Sequence, residues 1–521
     1  MSPDPNQNPP PRPIWRRARP AFFVFCALAL AGLFLLLSCP PLWRDYDGLI
    51  QISNRPNDMT LLQYPPAYPF FSRFHIFAAE IIGGWIHHTK TVINIRKAVT
   101  LNDAGLCALI ISQQVALALA LTYFAQICAR GWKARLLIVV LLLSNASVFI
   151  PAQLISTEAL SQSLLILFIA LGFHLFRSER LSGWSCGAYA LCLFGLIMTR
   201  HANAVFAMLL PLAYLLIGLL QRLRGSSVGG RPWKLAALFI ALGFASIEAS
   251  DLSTRLLCRV FDVEFRDISA RGTSEKLGFV DEMTPPEREA FLAKLQTQTN
   301  DPVVKEAIPL LARHASWDKQ REEIVAILRR ESPQAEEQKL RVVADSYLEK
   351  VAGLFYATHN HYLLGDMTRD TWRAVAQTTA GDVAQYFLHT AAWSLDLYPT
   401  QPALDKRTHG LASCSPEARA RIVALEENPW LRLWNWTPHG AILLVTSLAT
   451  IFLLVRRTGE PSGLIYALAT TVVSVVATIL TFYFVNFQPR FTSIAGLLAF
   501  LSLGFVIGSL SKSPVQPGAT S

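Results

Sequence analysis

Charge is what this sequence has least of: Lys, Arg, Asp and Glu make up 16% of its 521 residues, against about 25% in soluble domains. That deficit excludes an ordinary cytosolic globule, whose several domains would each need a charged surface. Cysteine is sparse and unpatterned. The 8 cysteines contain no CxxC and no Cys/His spacing suited to zinc. Cys26, Cys107, Cys128, Cys186 and Cys192 lie in or beside apolar runs, where a thiol acts as a small apolar residue. Cys39, Cys258 and Cys414 fall elsewhere, and a bond between Cys258 and Cys414 is open if that compartment is oxidising. No GxGxxG opens a helix and no glycine-rich loop is placed to cradle phosphates, which argues against a soluble nucleotide-binding domain. Repeats at solenoid spacing are lacking too.

What is present is apolar residue in long runs. Hydrophobic residues are 52% of the chain, and they cluster in stretches near the about 17 to 25 residues that cross a bilayer as a helix. Ten such runs predict spans at 21–38, 104–127, 136–151, 158–176, 183–198, 202–220, 235–249, 437–455, 464–485 and 491–510. The expected fold is therefore an all-α polytopic membrane protein. Its first span follows Arg12, Arg16, Arg17 and Arg19 as a signal peptide would. It ends in Ser38-Cys39-Pro40-Pro41 without a small-x-small cleavage site, so it reads as a retained anchor.

Lys and Arg gather on alternate loops: before span one, then at Arg130, Lys133 and Arg135, at Arg177 and Arg180, at Arg222, Arg224, Arg231 and Lys234, at Arg456 and Arg457, and at Lys512. Basic loops stay in the cytoplasm, so both termini are expected there. The formal net charge of +10 is then largely an orientation signal, and nucleic acid needs no place as a partner. The domain division that follows is a Pro-rich disordered start (1–20), a seven-span module (21–250) with an outer loop at 39–103, and an extracytoplasmic, mostly helical insertion between spans seven and eight (251–436). A three-span module (437–510) and a tail (511–521) complete it. Trp430, Trp434 and Trp436, where the chain re-enters the bilayer, fit an interfacial belt.

The residues able to carry chemistry sit at outer ends of spans. After span one come Trp43-Arg44-Asp45-Tyr46-Asp47-Gly48, then Tyr64-Pro65-Pro66-Ala67-Tyr68-Pro69. Carboxylates beside hydrocarbon are costly without a role, although a helix cap at Asp45 with Asp47 in the first turn would also account for them. Arg490, in Gln488-Pro489-Arg490-Phe491, stands at the outer end of span ten, where it either snorkels or grips an anion. Arg200 and His201 form a second cationic pair on that face, and Glu158 either caps span four or joins them. His359-Asn360-His361 and His87-His88 supply too few ligands for a metal alone.

The outer acid after span one, the PPxYP turn about twenty residues on, the seven spans, the large outer insertion and the final spans opening on Gln488-Pro489-Arg490 together resemble the GT-C class of glycosyltransferases. The branch they are most similar to is that of protein O-mannosyltransferases and lipid A aminoarabinose transferases. The resemblance covers the membrane part in layout through short motifs, and 251–436 has no counterpart in it. It implies a sugar donor linked to a polyprenyl phosphate, used on the extracytoplasmic face, with an acid after span one as catalytic base. Counting forward, Ile52 and Ser53 fall on the family's aliphatic and small positions if Asp45 is that acid, with Asp47 as a second acid. Tyr64 and Tyr68 fall in the family's PP-Y turn, with Tyr64 where one branch has Lys.

Under this resemblance the base takes the proton of an acceptor hydroxyl as it attacks the anomeric carbon, with inversion, and a cation such as Arg490 steadies the departing phosphate. Some relatives need a divalent ion near the acids; no other cofactor is implied. The partners expected are the lipid-linked donor, an acceptor glycan, lipid or protein, and the membrane lipids, in a bacterial inner membrane. Two rival readings exist. A transporter or flippase would show repeated halves and charges near the midplane, and a scaffold would use the outer domain only to bind a partner.

Overall fold

The computed structural model describes residues 14–43, 48–49, 52–53, 65–88, 94–225, 230–263, 280, 283–311, 317–484 and 487–511. Asp45, Asp47 and Tyr64 lie outside the described residues, as do the side chains of His359 and His361.

The chain is an all-α polytopic membrane protein. Its membrane helices are α1 (Ile14–Ser38), α3 (Asp103–Cys128), α4 (Trp132–Leu143), α5 (Thr157–Arg177), α6 (Gly183–Thr199), α7 (Leu209–Leu223) and α8 (Arg231–Val260), then α15 (His439–Val455), α16 (Pro461–Phe484) and α17 (Ser493–Leu510). Among the described residues seven segments are long and apolar enough to cross a bilayer, including His201–Leu223, which enters α7 through a 3-10 turn, and Pro489–Leu510, which enters α17 the same way. Gly183–Thr199 and His439–Val455 are shorter apolar helices. The third expected span is helical only to Leu143. Twelve residues rise about 18 Å, well short of a hydrocarbon core of about 30 Å. Beyond α4 the chain makes 3-10 turns at Ala146–Val148 and Ile150–Gln153 before α5 begins.

The outer loop holds a helix that its Pro-rich start conceals, α2 (Ala67–Ile86). Pro66 caps it and Pro69 stands in its first turn, where the missing N–H would have had no helical partner. Asn102 caps α3 by accepting from the Gly105 N–H at 2.7 Å.

The large insertion contains α9 (Pro285–Thr297), α10 (Pro302–Leu311), α11 (Trp317–Glu331), α12 (Glu337–Trp372), α13 (Ala380–Leu397) and α14 (Pro416–Glu426), with short helical turns between them. Helices α9 to α12 enclose a core of their own around Phe291, Leu295, Ile308, Ile324, Leu348 and Phe355. Helix α13 instead joins the main core, with Val383, Phe387 and Leu388 buried in the cluster that also holds Trp43 and residues of the spans. Trp430 and Trp434 do more than sit in a belt: their indole N–H groups donate to the Leu143 carbonyl at 2.7 Å and to the Ser144 hydroxyl at 3.0 Å, satisfying the end of the short α4. Trp436 is 92% exposed. Cys258 and Cys414 are both free thiols, so no disulfide joins them; burial pushes the Cys414 thiol up to about 12.

On the face carrying the first residues of α1 and the last of α17, Arg177 ties three elements together. Its guanidinium meets Glu460 at 2.9 Å and donates to the Ile127 carbonyl at 3.0 Å.

Candidate active site

The site begins with the unwound stretch after α4. Backbone groups outside a helix need partners wherever water is excluded, and buried amides supply them. Gln113 on α3 donates to the carbonyls of Ala152 and Leu154, both at 3.0 Å. Its neighbour Gln114 donates to the Gln153 side chain at 3.2 Å, and Gln153 donates to the carbonyls of Cys39 and Pro40 at 3.2 and 3.3 Å. These bonds bind the end of α1 to the stretch leading into α5. The junction is sealed by a short parallel ladder between β1 (Leu42–Trp43) and β2 (Leu154–Ile155), in which Trp43 faces Ile155. Gly48 lies on the same spot: a Cβ there would stand 2.4 Å from the Ile155 carbonyl oxygen. The described residues flanking 44–47 therefore both abut Ile155.

Three residues beyond Ile155 is Glu158, in the first turn of α5, where the helix dipole favours a carboxylate. Its side chain is 4% exposed and meets Arg200 at 3.6 Å. The hydroxyls of Ser156 and Thr157 donate to it at 2.5 and 3.4 Å. Tyr68, fully buried on α2, donates to the Gln113 side-chain oxygen at 3.3 Å. Burial, and then the Glu158 charge, hold its phenol well above the ordinary value, with the Ser156 backbone opposing. Tyr68, Glu158 and Arg200, singled out by the sequence, thus belong to one neighbourhood. Asn203 locks the turn after Arg200 by donating to Ser161 on α5 and to the Leu196 carbonyl, both at 2.9 Å.

Beside this cluster lies a cavity of about 590 Å³ between the 3-10 turn His201–Met208, α7 and α8 on one side and α16 and α17 on the other. Small residues such as Ala204, Ala207, Gly243 and Ala477 leave the space, and Phe206 and Phe244 help make its wall apolar. Arg200 lines this cavity and also a small cleft shared with Glu158, Ser161, Gln162 and Ser493. One guanidinium thereby borders an apolar chamber and an acidic pocket at once.

His201 opens the 3-10 turn and is exposed. Arg490 stands in the turn Pro489–Thr492, its guanidinium carbon 4.6 Å from the centre of the Phe491 ring, and Phe491 lines the apolar cavity. Among the described residues no three of His, Cys, Asp and Glu converge as a metal site would require. The acids expected near such an ion, Asp45 and Asp47, are outside them. Sequence reading passed over Gln113, Gln114, Gln153 and Ser156. The signal was there in part: two adjacent amides in the middle of a mostly apolar 26-residue helix are costly unless they bond to something.

No family model and no curated protein sequence matches the chain. Among solved structures it has a likeness to that of ArnT from Cupriavidus metallidurans bound to undecaprenyl phosphate, at 12% identity, over 93% of this chain and 77% of that one, with a TM-score of 0.32.

Proposed function

We propose that this chain is a membrane glycosyltransferase of the GT-C kind, moving a sugar from a polyprenyl-phosphate carrier to an acceptor hydroxyl on the extracytoplasmic face of a bacterial inner membrane, with both termini cytoplasmic. The observation that carries this reading is Arg200's position on both the apolar cavity and the Glu158 cleft. An apolar chamber between spans suits a polyprenyl chain arriving through the bilayer. A guanidinium at its border suits the phosphate that joins chain to sugar, with Arg490 near Phe491 as a second cation. Glu158 holds Arg200 in place as a positioning residue.

In the reaction so read, Asp45 accepts the proton of the acceptor hydroxyl as its oxygen bonds to the anomeric carbon. The bond from that carbon to the phosphate oxygen breaks, its electron pair leaves with the lipid phosphate, and the configuration inverts. Arginine stabilises the charge gathering on the leaving oxygen. Asp47 would share the acidic site, and Tyr64 and Tyr68 would frame it. Support for the Asp45 assignment is the family-like motif together with the anchoring of Trp43 and Gly48 against Ile155, three residues before Glu158.

The test is sugar transfer by purified protein from a polyprenyl-phosphate sugar to extracted envelope glycans and proteins. Asp45→Asn should express and fold normally while turnover falls about 10²- to 10⁴-fold, the usual contribution of a general base. Wild-type turnover in Asp45→Asn with a dead Asp47→Asn would move the base by two residues. Translocation of the carrier without sugar transfer would make the protein a transporter instead.

A further inference from the structure

A polar cleft of about 470 Å³ opens between the large insertion and the entry to α17, within the about 300 to 1,000 Å³ of small-molecule sites. Three elements build it. Arg373 and Gln377 come from the π-helical turn Arg373–Gln377 that ends α12, Asp382 and Gln385 from the start of α13, and Phe487 and Pro489 from the stretch before α17. Thr378 closes the π turn, its N–H and its hydroxyl both donating to the Arg373 carbonyl at 3.0 Å. Such turns are rare, and they recur at functional sites. Phe487 is fixed as a wall: its N–H donates to the buried Asp370 carboxylate at 3.2 Å, and its ring centre lies 5.8 Å from that of Phe482. Tyr386 on α13 donates to the Gln488 side-chain oxygen at 3.5 Å and ties the helix to the same stretch.

The polar groups of this lining are uncommitted. Among the described residues the side chains of Arg373, Gln377 and Gln385 make no hydrogen bond or ion pair. Asp382 engages its Oδ2 with the Thr379 N–H and hydroxyl, at 2.8 and 2.7 Å. Arg373 offers donors, Asp382 Oδ1 an acceptor, and each glutamine both. One guanidinium and one carboxylate leave the lining without net charge, which disfavours a phosphate or a strongly charged peptide. A sugar ring matches the set: its hydroxyls donate and accept around the edge, and its C–H face packs on an aromatic ring such as that of Phe487.

Helix α13 joins this cleft to the chemistry proposed above. It packs against the Leu42–Trp43 strand, which leads towards Asp45, and against the turn Pro489–Thr492. In that turn Pro489 lines the cleft and Phe491 the apolar cavity, with Arg490 between them. We propose that the cleft binds a sugar unit of a neutral glycan, and that this glycan is the acceptor of the transfer. Only the acceptor role rests on the transferase reading.

Saturation-transfer NMR of the full-length protein, in a detergent without a sugar headgroup, tests the binding. The probes are the methyl glycosides of glucose, galactose, mannose and N-acetylglucosamine. At least one should receive saturation from wild type, and Gln377→Ala/Gln385→Ala should raise its Kd about tenfold or more, from two lost hydrogen-bonding amides. Gln334→Ala/Gln401→Ala removes two exposed amides of the insertion outside the cleft and should bind as wild type does. Phe487→Leu should weaken binding, and Phe487→Tyr, which keeps the ring, should bind as wild type does. In transfer to envelope glycans, Gln377→Ala/Gln385→Ala should raise the acceptor KM and leave kcat near wild type. No saturation of any probe, an unchanged Kd in the cleft pair, an equal loss in the control pair, or tighter binding of glucose 6-phosphate than of methyl glucoside would each overturn the cleft assignment. Failure of the transferase reading looks different: the glycoside binds and the cleft pair loses it, yet wild type transfers no sugar, which removes the acceptor role alone.

Discussion

Arg200 illustrates how one residue can mean two things until its neighbours are known. At the end of an apolar run an arginine can simply snorkel to water. Here its side chain is 21% exposed, it meets a carboxylate that is 4% exposed, and it borders the apolar cavity. If it grips a lipid phosphate, Arg200→Ala should lower transfer about 10²- to 10³-fold, the loss seen when one donor to a developing anion is removed. Arg200→Lys should recover part of it. Glu158→Gln removes the ion pair but keeps an acceptor for Ser156, so it should raise the KM for the lipid donor more than it lowers kcat. That split, read from steady-state kinetics, separates positioning from contact with the reacting atoms; equal effects on kcat from Glu158→Gln and Arg200→Ala would place both at the phosphate.

Among the elements, the unwound stretch between α4 and α5 sets the geometry of the site. A continuous helix there would carry Ile155 and Glu158 on a straight rod, and the end of α1 would have no strand to pair with. The amides of Gln113 and Gln153 take the place of helical hydrogen bonds, and Gln114 holds the Gln153 side chain. The contact of Gly48 with Ile155 depends on the absence of a side chain. Gly48→Ala places a carbon 2.4 Å from a backbone oxygen that cannot swing aside. A loss of about 1 to 3 kcal/mol is expected, the usual cost of overpacking, with a parallel loss of activity. Gly83→Ala, where a Cβ meets nothing within 4 Å, is the control and should be neutral or slightly stabilising. Thermal unfolding in detergent compares the two. An unchanged midpoint for Gly48→Ala would mean that this junction yields without strain.

At the scale of the whole molecule, the large insertion is divided between two cores. Helices α9 to α12 pack among themselves, while α13 is buried with the spans beside Trp43. The face that holds the insertion also holds the Glu158 cluster, and the basic loops lie on the other. A reporter active only outside the cytoplasm should therefore work when fused after Asp58 or Asn300 and fail after Arg224 or at the carboxyl terminus. Activity after Arg224 would invert the orientation and place the proposed chemistry on the cytoplasmic side.

The sequence by itself determined the class of fold, because bilayer crossing depends on the length and composition of a single run, both local properties. It also drew attention to Tyr68, Glu158, Arg200 and Arg490, since charge or a phenol at the end of an apolar run stands out in one dimension. It did not reveal α2, whose opening Pro65-Pro66 reads as a turn. Nor could it show that Gln113 holds the backbone, and Gln114 the Gln153 side chain, of residues about forty positions away, or that Arg200 borders both an apolar chamber and Glu158. Those facts depend on which faces of α3, α5, α7 and α17 meet. Only the packing of the helices against one another decides that, because an apolar run is nearly as apolar on every side and carries no mark of its neighbour.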